Sequence, residues 1–340
     1  MPSCVVAGAI LKNYRKRLRS AHRCKIPFVK RLIMTADNQR YKLDRKTGLL
    51  DIPIRAGVHI KIQLPMSDYA QKYFGDESLS LGSLTITPNK IVIAVRKADI
   101  KPYEPESVIS LDTNERSLDG IFAEGDSAVS VKADFSEVSI IQERHFVRRK
   151  RLQAKKYNDR RTLKRLFARE GKREHNRIEN RLHAIANDVV RVAQSSESAI
   201  ILEDLNDMRA SHKGLTMNRR LSSWPRRKLH QIIKYKADWQ GIPVIFVNPK
   251  NTSRTCPICG KTRKSRMGGN EFKCKCGWHC DIHINASLNI LQKATASSEA
   301  LAKAVWFQPD ALRHDPVKSL YDLARGARIE ANGASCVVGG

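Results

Sequence analysis

Four cysteines stand in two close pairs in the last third of the chain, as Cys256-Pro-Ile-Cys259-Gly and Cys274-Lys-Cys276-Gly. Zinc accepts four thiolates in a tetrahedron, and two short pairs on tight turns supply that geometry with little loop entropy. A glycine after each pair lets the backbone turn with its amides facing sulfur. The spacing therefore predicts one structural zinc ion held by all four thiols.

Two alternatives accompany this prediction. Cys280 lies four residues after the second pair and is a possible substitute ligand. The cysteines could also be unrelated thiols or disulfides, but no secretory signal opens the sequence, so we expect reduced thiols. Cys4, Cys24 and Cys336 are scattered, and we interpret them as ordinary small side chains.

Three acidic residues form a second candidate centre. Asp112 ends an apolar segment, Glu203 ends another, and Asp281 stands at the start of a helix-compatible segment after the cysteines. A phosphodiester nuclease needs clustered carboxylates because hard divalent cations prefer oxygen ligands, and two such ions activate water and stabilise the leaving oxygen. Taken singly, each acid is more typical of an ordinary role: an Asx turn for Asp112, a solvated strand end for Glu203 and a helix N-cap for Asp281. Only their joint order and spacing favour catalysis.

Composition indicates the class of partner. The 340 residues include 62 Lys and Arg against 34 Asp and Glu, for a formal net charge of +28 and a pI near 10.0. A field of this size attracts polyanions and gives salt-dependent binding. No apolar run approaches the length that spans a membrane, so a membrane-surface protein is the weaker interpretation and nucleic acid the stronger one.

The charge is concentrated in one segment. From Arg144 to Arg181 there are 16 Lys and Arg against four acids. Apolar periodicity predicts two helices here, over 137–169 and 173–195, separated near Gly171 and carrying arginine-rich outer faces. A solvated face is the alternative, but this density favours phosphate contact. The candidate contacts are Arg148, Arg149, Arg151, Lys155, Lys156, Arg160 and Arg161.

The remaining elements change character near a proline-marked linker at 101–105. Before it, hairpins are predicted around Gly48 and around residues 88–89, with a further strand over 58–64, which suits a small β-barrel-like domain. After it come a strand ending at Asp112, two antiparallel neighbours and the basic helices. A strand over 198–202, a helix over 219–240 and a strand over 243–247 follow. A meander followed by strands alternating with helices is the order of an α/β, ribonuclease H-like fold.

Six motifs in this order resemble the OrfB/TnpB proteins of insertion sequences, which are relatives of type V CRISPR effectors. The motifs are Ser110-Leu-Asp112-Thr-Asn114, Ile201-Leu-Glu203-Asp-Leu205, Tyr235-Lys-Ala, Gly241-Ile-Pro-Val, Thr252-Ser-x-Thr-Cys-Pro-x-Cys-Gly260 and Asp281-x-His283-x-Asn285-Ala.

The resemblance covers roughly residues 105–293 and implies a RuvC-like nuclease domain that contains a zinc-binding insert. It also implies an N-terminal wedge barrel, a guide RNA from the transposon end, a DNA target and a prokaryotic, cytoplasmic, nucleoid-associated location. Asp112 and Glu203 are then the first two ligands of catalytic Mg²⁺ or Mn²⁺.

The resemblance also implies a division of the chain. Residues 1–104 would form the basic N-terminal segment and the wedge, and residues 105–250 the RuvC-like domain with basic helices over 137–195. Residues 251–280 would form the zinc insert and 281–295 the last RuvC-like helix, with 296–340 left as an unassigned tail.

Two features depart from the family pattern. The third metal ligand, usually an aspartate two residues before the final asparagine, is His283 here. Asp281 is present, but two residues on a helix rotate it by about 200° away from the ligand direction. Imidazole is acceptable to Mn²⁺ and poor for Mg²⁺. The N-terminal region also lacks room for the family's helical recognition lobe.

Two functions of different class follow. The first is an RNA-guided, metal-dependent DNA endonuclease of a mobile element, the class called transposase. The second is a nuclease-silent descendant that binds guide RNA and DNA as a repressor. His283 separates these two, whereas Asp112 and Glu203 separate both from a third alternative, a zinc-ribbon DNA-binding protein.

Overall fold

The structure is a computed structural model that describes residues 2–20, 26–27, 33–154, 160–205, 214, 218–219, 223–263, 270–306, 308–309 and 317–326. The chain forms two compact units, Met1–Asp99 and Ile100–Gly340. Each unit has its own hydrophobic core. None of the described helices is both long enough and apolar enough to cross a bilayer.

The elements follow one another in chain order. In the first unit they are α1 (Pro2–Arg19), β1 (Met34–Ala36), β2 (Lys42–Leu43), β3 (Leu49–Arg55), β4 (Val58–Gln63), α2 (Asp68–Phe74), β5 (Ser80–Thr87) and β6 (Lys90–Arg96). In the second they are β7 (Ser107–Thr113), β8 (Ser117–Glu124), β9 (Ser127–Asp134), α3 (Ser136–Ala154), α4 (Arg160–Ser195), β10 (Ser198–Glu203), α5 (Arg226–Gln240), β11 (Val244–Val247), β12 (Glu271–Lys273), β13 (His279–Asp281), α6 (Ile282–Ser297), α7 (Glu299–Ala304) and β14 (Lys318–Ser319).

The first unit consists of two three-stranded sheets, β1-β5-β6 and β2-β3-β4. Both predicted hairpins are confirmed, because β2 pairs with β3 and β5 with β6 in antiparallel registers. Gly48 turns the first hairpin with a φ of 76°, a conformation that favours glycine. The two sheets share one core around Tyr41, Leu50, Ile52 and Leu84, as a small barrel-like domain requires.

The second unit is built on a six-stranded sheet in the order β11-β10-β7-β8-β9-β14. Strands β7, β8 and β9 form an antiparallel meander, and β10 runs parallel to both β7 and β11. This confirms the predicted meander followed by parallel strands. Gly120 of β8 lies so close to β7 that an added Cβ would be 2.4 Å from the Ser110 carbonyl oxygen.

The alternation of side chains along the strands divides this core into two layers. Ile109 and Leu111 of β7 face one layer, which contains the buried stripes of α4 and α5. Val108 of β7 and Ile201 of β10 face the other layer, which contains α6. Both sheet faces are therefore covered, and this explains why β7 and β10 are buried along their whole length.

The basic segment forms an antiparallel helical pair, α3 and α4. The predicted break near Gly171 is wrong, because α4 runs unbroken from Arg160 to Ser195. A single helical glycine costs only about 1 kcal/mol. That cost is offset by packing along the pair, where buried His145 of α3 meets buried Glu170 of α4 with 2.7 Å between Nδ1 and Oε1. The predicted first helix consequently ends by Ala154 rather than at residue 169.

Two further boundaries differ from the sequence predictions. Helix α5 begins at Arg226 instead of 219, and residues 220–222 lie outside the described residues. The C-terminal region, which sequence analysis left unassigned, contributes β14 to the sheet through parallel pairing with β9. Leu320 and Ala324 are buried in the α4 layer. Part of the apparent tail is therefore integral to the fold.

We predict that Gly171→Ala raises the free energy of unfolding by about 0.5–1 kcal/mol, because alanine is a better helix former. Nothing lies within 4 Å of the added Cβ. Chemical denaturation monitored by circular dichroism measures the change.

Gly120→Ala is the matched control. Its Cβ would collide with the Ser110 carbonyl oxygen, so the same substitution should lower stability by more than Gly171→Ala raises it. A loss of stability in Gly171→Ala would show that this glycine is required within α4.

Candidate functional site

Asp112 and Glu203 lie at the C-terminal ends of adjacent strands, on the same face of the sheet. The parallel register pairs Leu202 with Leu111, so the next residue of each strand brings these two carboxylates side by side. Because Val108 and Ile201 face the α6 layer, the same alternation points Asp112 and Glu203 toward α6. Their residue exposures are 9% and 6%, so both acids lie at a largely dry strand edge.

His283 comes from the first turn of α6 and reaches the carboxylate of Asp112. Its Nδ1 lies 3.0 Å from Oδ2 of Asp112. Burial would lower the pKa of His283, but the hydrogen bond to Asp112 and the negative charges of Asp112, Asp281 and Asp119 outweigh it, so the pKa is raised. The imidazole is therefore biased toward its cationic form beside Asp112.

Asp281 has a different role in the geometry. It is the N-cap of α6, and its Oδ1 accepts hydrogen bonds from the backbone amides of His283 at 2.8 Å and Ile284 at 3.4 Å. The side chain is exposed, and the cap satisfies amides that would otherwise lack partners at the helix start. Asp281 contributes its charge to the surroundings of His283, while His283 makes the contact with Asp112.

A further acid, Asp119, was missed by sequence reasoning. It is the cross-strand partner of Asp112 in the β7–β8 pair, so its side chain lies on the same sheet face. The residue is 6% exposed and its carboxylate accepts from Asn114 Nδ2 at 2.8 Å and from Ser117 Oγ. Lys132 Nζ lies 3.4 Å from the other oxygen. If residues are paired outward from the tight turn after Thr113, Asp119 falls opposite Asp112, and the sequence could have revealed it in this way.

The four paired cysteines form a far more compact group. Their sulfur atoms all lie within 4.8 Å of one another. Cys256 Sγ is 3.5 Å from Cys276 Sγ, and Cys259 Sγ is 3.6 Å from Cys274 Sγ. Among the described residues, no group of three His, Cys, Asp or Glu ligands that includes Asp112 or Glu203 reaches this spacing. The four thiols could therefore hold one metal ion as they stand, whereas the described acids near Asp112 and Glu203 are not grouped this closely.

Cys280 is not part of that group. Its sulfur instead lies 3.9 Å from Oδ1 of Asn285, and burial raises its pKa to about 12. Within the group, burial raises the pKa of Cys256 to about 12, whereas a backbone hydrogen bond from Cys276 lowers the pKa of Cys274 to about 7. The geometry selects Cys276 over Cys280 as the fourth thiol.

Helix α6 joins the cysteine segment to the sheet through polar side chains on one face. Asn285 Nδ2 donates to the carbonyl of Thr255 at 2.9 Å, and Asn289 Nδ2 donates to the carbonyls of Thr252 and Thr255 at 2.9 and 2.8 Å. Gln292 Nε2 donates to the Pro257 carbonyl at 2.9 Å. Asn285, Asn289 and Gln292 are spaced by four and three residues, so they form one stripe. The stripe fixes the loop that leads into Cys256.

The candidate phosphate contacts do not form a uniform surface. Arg149 is ion-paired with Glu174 of α4, and Arg148 lies 3.6 Å from Glu170. Arg151 is exposed, and no acid pairs with it in the part of the chain that the structure describes. Arg160 and Arg161 are exposed at the start of α4. Lys155 and Lys156 lie outside the described residues. Arg149 is therefore engaged within the helical pair.

A family model described as the Cas12f1-like TNB domain matches residues 227–290, which include all four clustered cysteines. The chain is 30% identical over 243 residues to a TnpB-like protein of Methanocaldococcus jannaschii, and the match covers 69% of this chain and 87% of that protein.

Two other similarities are more limited. Over 93 residues the chain is 38% identical to the CRISPR-associated endodeoxyribonuclease Cas12f1 of Sulfoacidibacillus thermotolerans, covering 27% of this chain and 21% of that protein. A solved Cas12f1-sgRNA-target DNA complex is 17% identical with a TM-score of 0.43, covering 78% of this chain and 68% of that chain. On the archaeal match, the chain belongs to the TnpB-like family.

We predict that the purified chain holds one zinc ion and that Cys259→Ser loses it, because one missing thiolate opens the tetrahedron. Cys280→Ser is the matched control and should retain one zinc per chain, since its sulfur lies outside the cluster. Metal analysis after gel filtration measures both. Much less than one zinc in the unmodified chain would contradict the assignment.

We predict a steep salt dependence of nucleic-acid binding, with a log–log slope of several units. Arg151→Glu should weaken binding and reduce that slope by about 1 or more. Arg149→Glu should instead lower the unfolding free energy by about 1–2 kcal/mol, because it places a carboxylate against Glu174. Filter binding over a salt series measures the effect of Arg151→Glu, and thermal denaturation measures that of Arg149→Glu. A flat salt response of the unmodified chain would show that the exposed arginines of α3 and α4 make no phosphate contacts.

Proposed function

We propose that this chain is an RNA-guided DNA endonuclease of a mobile element that cuts with divalent metal ions. The observation that supports this most strongly is the pair of buried carboxylates, Asp112 and Glu203, at the ends of adjacent parallel strands. Two carboxylates that share a dry edge repel each other unless a cation lies between them. Their placement in a chain of the TnpB-like family favours a nuclease centre over a structural acid pair.

We propose further that the six-stranded sheet is a ribonuclease H-like, RuvC-type fold. The support is the sheet order, with an antiparallel meander β7-β8-β9 and the parallel strands β10 and β11 added beside β7. In this order the first and fourth strands of the second unit become neighbours. The topology therefore unites Asp112 and Glu203, which are 91 positions apart in the sequence.

The residues fit the two kinds of metal to different degrees. Four thiols within 4.8 Å of one another match the ligand type and number of a structural zinc site. Asp112 and Glu203 supply the hard oxygen donors that Mg²⁺ and Mn²⁺ prefer. His283 supplies nitrogen where the family pattern has a third oxygen, and this set is better suited to Mn²⁺.

When bound at this edge, divalent ions would supply an activated water and charge stabilisation at the leaving oxygen. Asp112 and Glu203 would hold those ions at the strand ends. His283 orients the Asp112 carboxylate through the 3.0 Å contact, and the Asp281 cap fixes the helix turn that carries His283. Lys132 neutralises part of the charge of Asp119 at the same edge.

The proposed partners are a guide RNA, which on the family resemblance comes from the transposon end, and a DNA target. Supporting this, the chain has a net charge of +28, and exposed cations lie on α3 and α4. A helical pair that presents arginine at this density suits phosphate backbones, which carry regularly spaced negative charge.

A nuclease-silent, RNA-guided DNA-binding protein is the second candidate. The observation that favours it is the position of His283, whose Nδ1 lies 3.0 Å from one carboxylate oxygen of Asp112. A cationic imidazole there would satisfy the carboxylate without any metal. The same binding surfaces would then act as a repressor.

We predict weak or absent cleavage in Mg²⁺ and better cleavage in Mn²⁺, with a loss of about 100-fold or more relative to a three-carboxylate site. His283→Asp should restore activity in Mg²⁺, because it returns an oxygen ligand. Asp112→Ala should abolish all cleavage. The measurement is cutting of target DNA by protein copurified with its own guide RNA.

Asp281→Asn is the matched control for His283→Asp, since an asparagine still caps the helix. It should leave the metal preference unchanged. Strong cleavage in Mg²⁺ that His283→Asp does not alter would reassign the ligand role to Asp281. No cleavage in either metal, before and after His283→Asp, would favour the nuclease-silent candidate.

A further inference from the structure

Thr252 connects the cysteine segment to the candidate nuclease carboxylates. Its hydroxyl donates a hydrogen bond to Oε1 of Glu203 at 2.6 Å. The residue is 4% exposed and stands four positions before Cys256, the first clustered thiol. A short hydrogen bond from a hydroxyl to a carboxylate in a dry setting is among the stronger interactions of its kind.

The backbone of Thr252 is fixed independently of that bond. Its carbonyl accepts from Asn289 Nδ2 at 2.9 Å, and Asn289 is itself buried in α6. Asn251 adopts a φ of 65°, and its carbonyl accepts from the amides of Arg254 and Thr255 at 3.0 Å each. The loop is therefore a closed turn anchored on α6, and the Thr252 hydroxyl is delivered from a rigid base.

A glutamate has a longer side chain than an aspartate and more rotamers to lose when it binds an ion. A bond to one carboxylate oxygen restricts rotation of the carboxylate group. Partners of this kind, which contact a ligand rather than the metal, typically change metal affinity by about 10–100-fold when removed.

We propose that Thr252, in the loop that leads into the clustered cysteines, is a positioning residue that holds Glu203 for the nuclease metal. The inference rests on the proposed function. The Thr252–Glu203 hydrogen bond would then join the cysteine segment to the nuclease carboxylates.

The test uses the full-length chain and Mn²⁺ alone, with binding followed by electron paramagnetic resonance of free Mn²⁺. Thr252→Val removes the hydroxyl at nearly constant volume and should weaken Mn²⁺ binding about 10-fold or more. Thr252→Ser keeps a hydroxyl and should restore binding. Thr255→Val is the matched control, because its hydroxyl bonds Thr262 in the same loop at 3.1 Å.

A double-mutant cycle separates positioning from general damage to the loop. If Thr252 acts through Glu203, Thr252→Val should add little further loss in a Glu203→Gln background. Zinc content should stay near one per chain in every variant. An equal loss in both backgrounds, or the same loss in Thr255→Val, would overturn the inference.

Mn²⁺ binding by the unmodified chain separates the positioning role of Thr252 from the proposed nuclease function. Mn²⁺ binding that requires Asp112 and Glu203 but ignores Thr252→Val would overturn the positioning role alone. A wild-type chain without any Mn²⁺ site dependent on those two acids would overturn both.

Discussion

The register between β7 and β10 is the constraint on which the rest of the second unit depends. A slip of one residue in either strand would turn its carboxylate into the α4 and α5 layer and bring an apolar side chain to the edge. The register is held by burial on both faces, since Ile109 and Leu111 fit one layer while Val108 and Ile201 fit the other. The positions of Asp112 and Glu203 are thus secured by the apolar side chains that neighbour them in the two strands.

Helix α6 connects the sheet to the cysteine segment. Its first turn presents His283 to Asp112, and its amide stripe holds the loop before Cys256. Asn285 also accepts from the indole nitrogen of Trp278 at 3.1 Å, so the same helix anchors the second cysteine pair. A buried amide can do this because it has both donors and an acceptor, and Asn285 donates to a backbone carbonyl while it accepts from Trp278. Polar residues on a largely apolar helix therefore hold the cysteine segment against α6 and the sheet.

Much of this arrangement was predictable because short-range patterns carried it. The hairpins, the strand ends at Asp112 and Glu203, and the cysteine pairs each depend on a few neighbouring residues. Gly171 misled the prediction because a helical glycine is a weak penalty, and the buried His145–Glu170 contact that supports the helix is long-range. Asp119 and the pairing of Arg149 with Glu174 were missed for the same reason, since register and inter-helix partners arise only on folding. β14 is two residues long, too short for any periodicity to reveal it.

The length of α4 has a mechanical consequence. Its 36 residues span about 54 Å, yet its fully buried apolar side chains all lie in the C-terminal turns from Leu182 to Ala193. The N-terminal half of α4 instead lies against α3, through contacts such as the ion pair between Arg149 and Glu174. Since β10 begins three residues after α4 ends, a load on the outer turns acts on the root of the strand that ends in Glu203. A partner bound to the outer turns of α4 would therefore contact the same helix whose other end leads into the strand of Glu203.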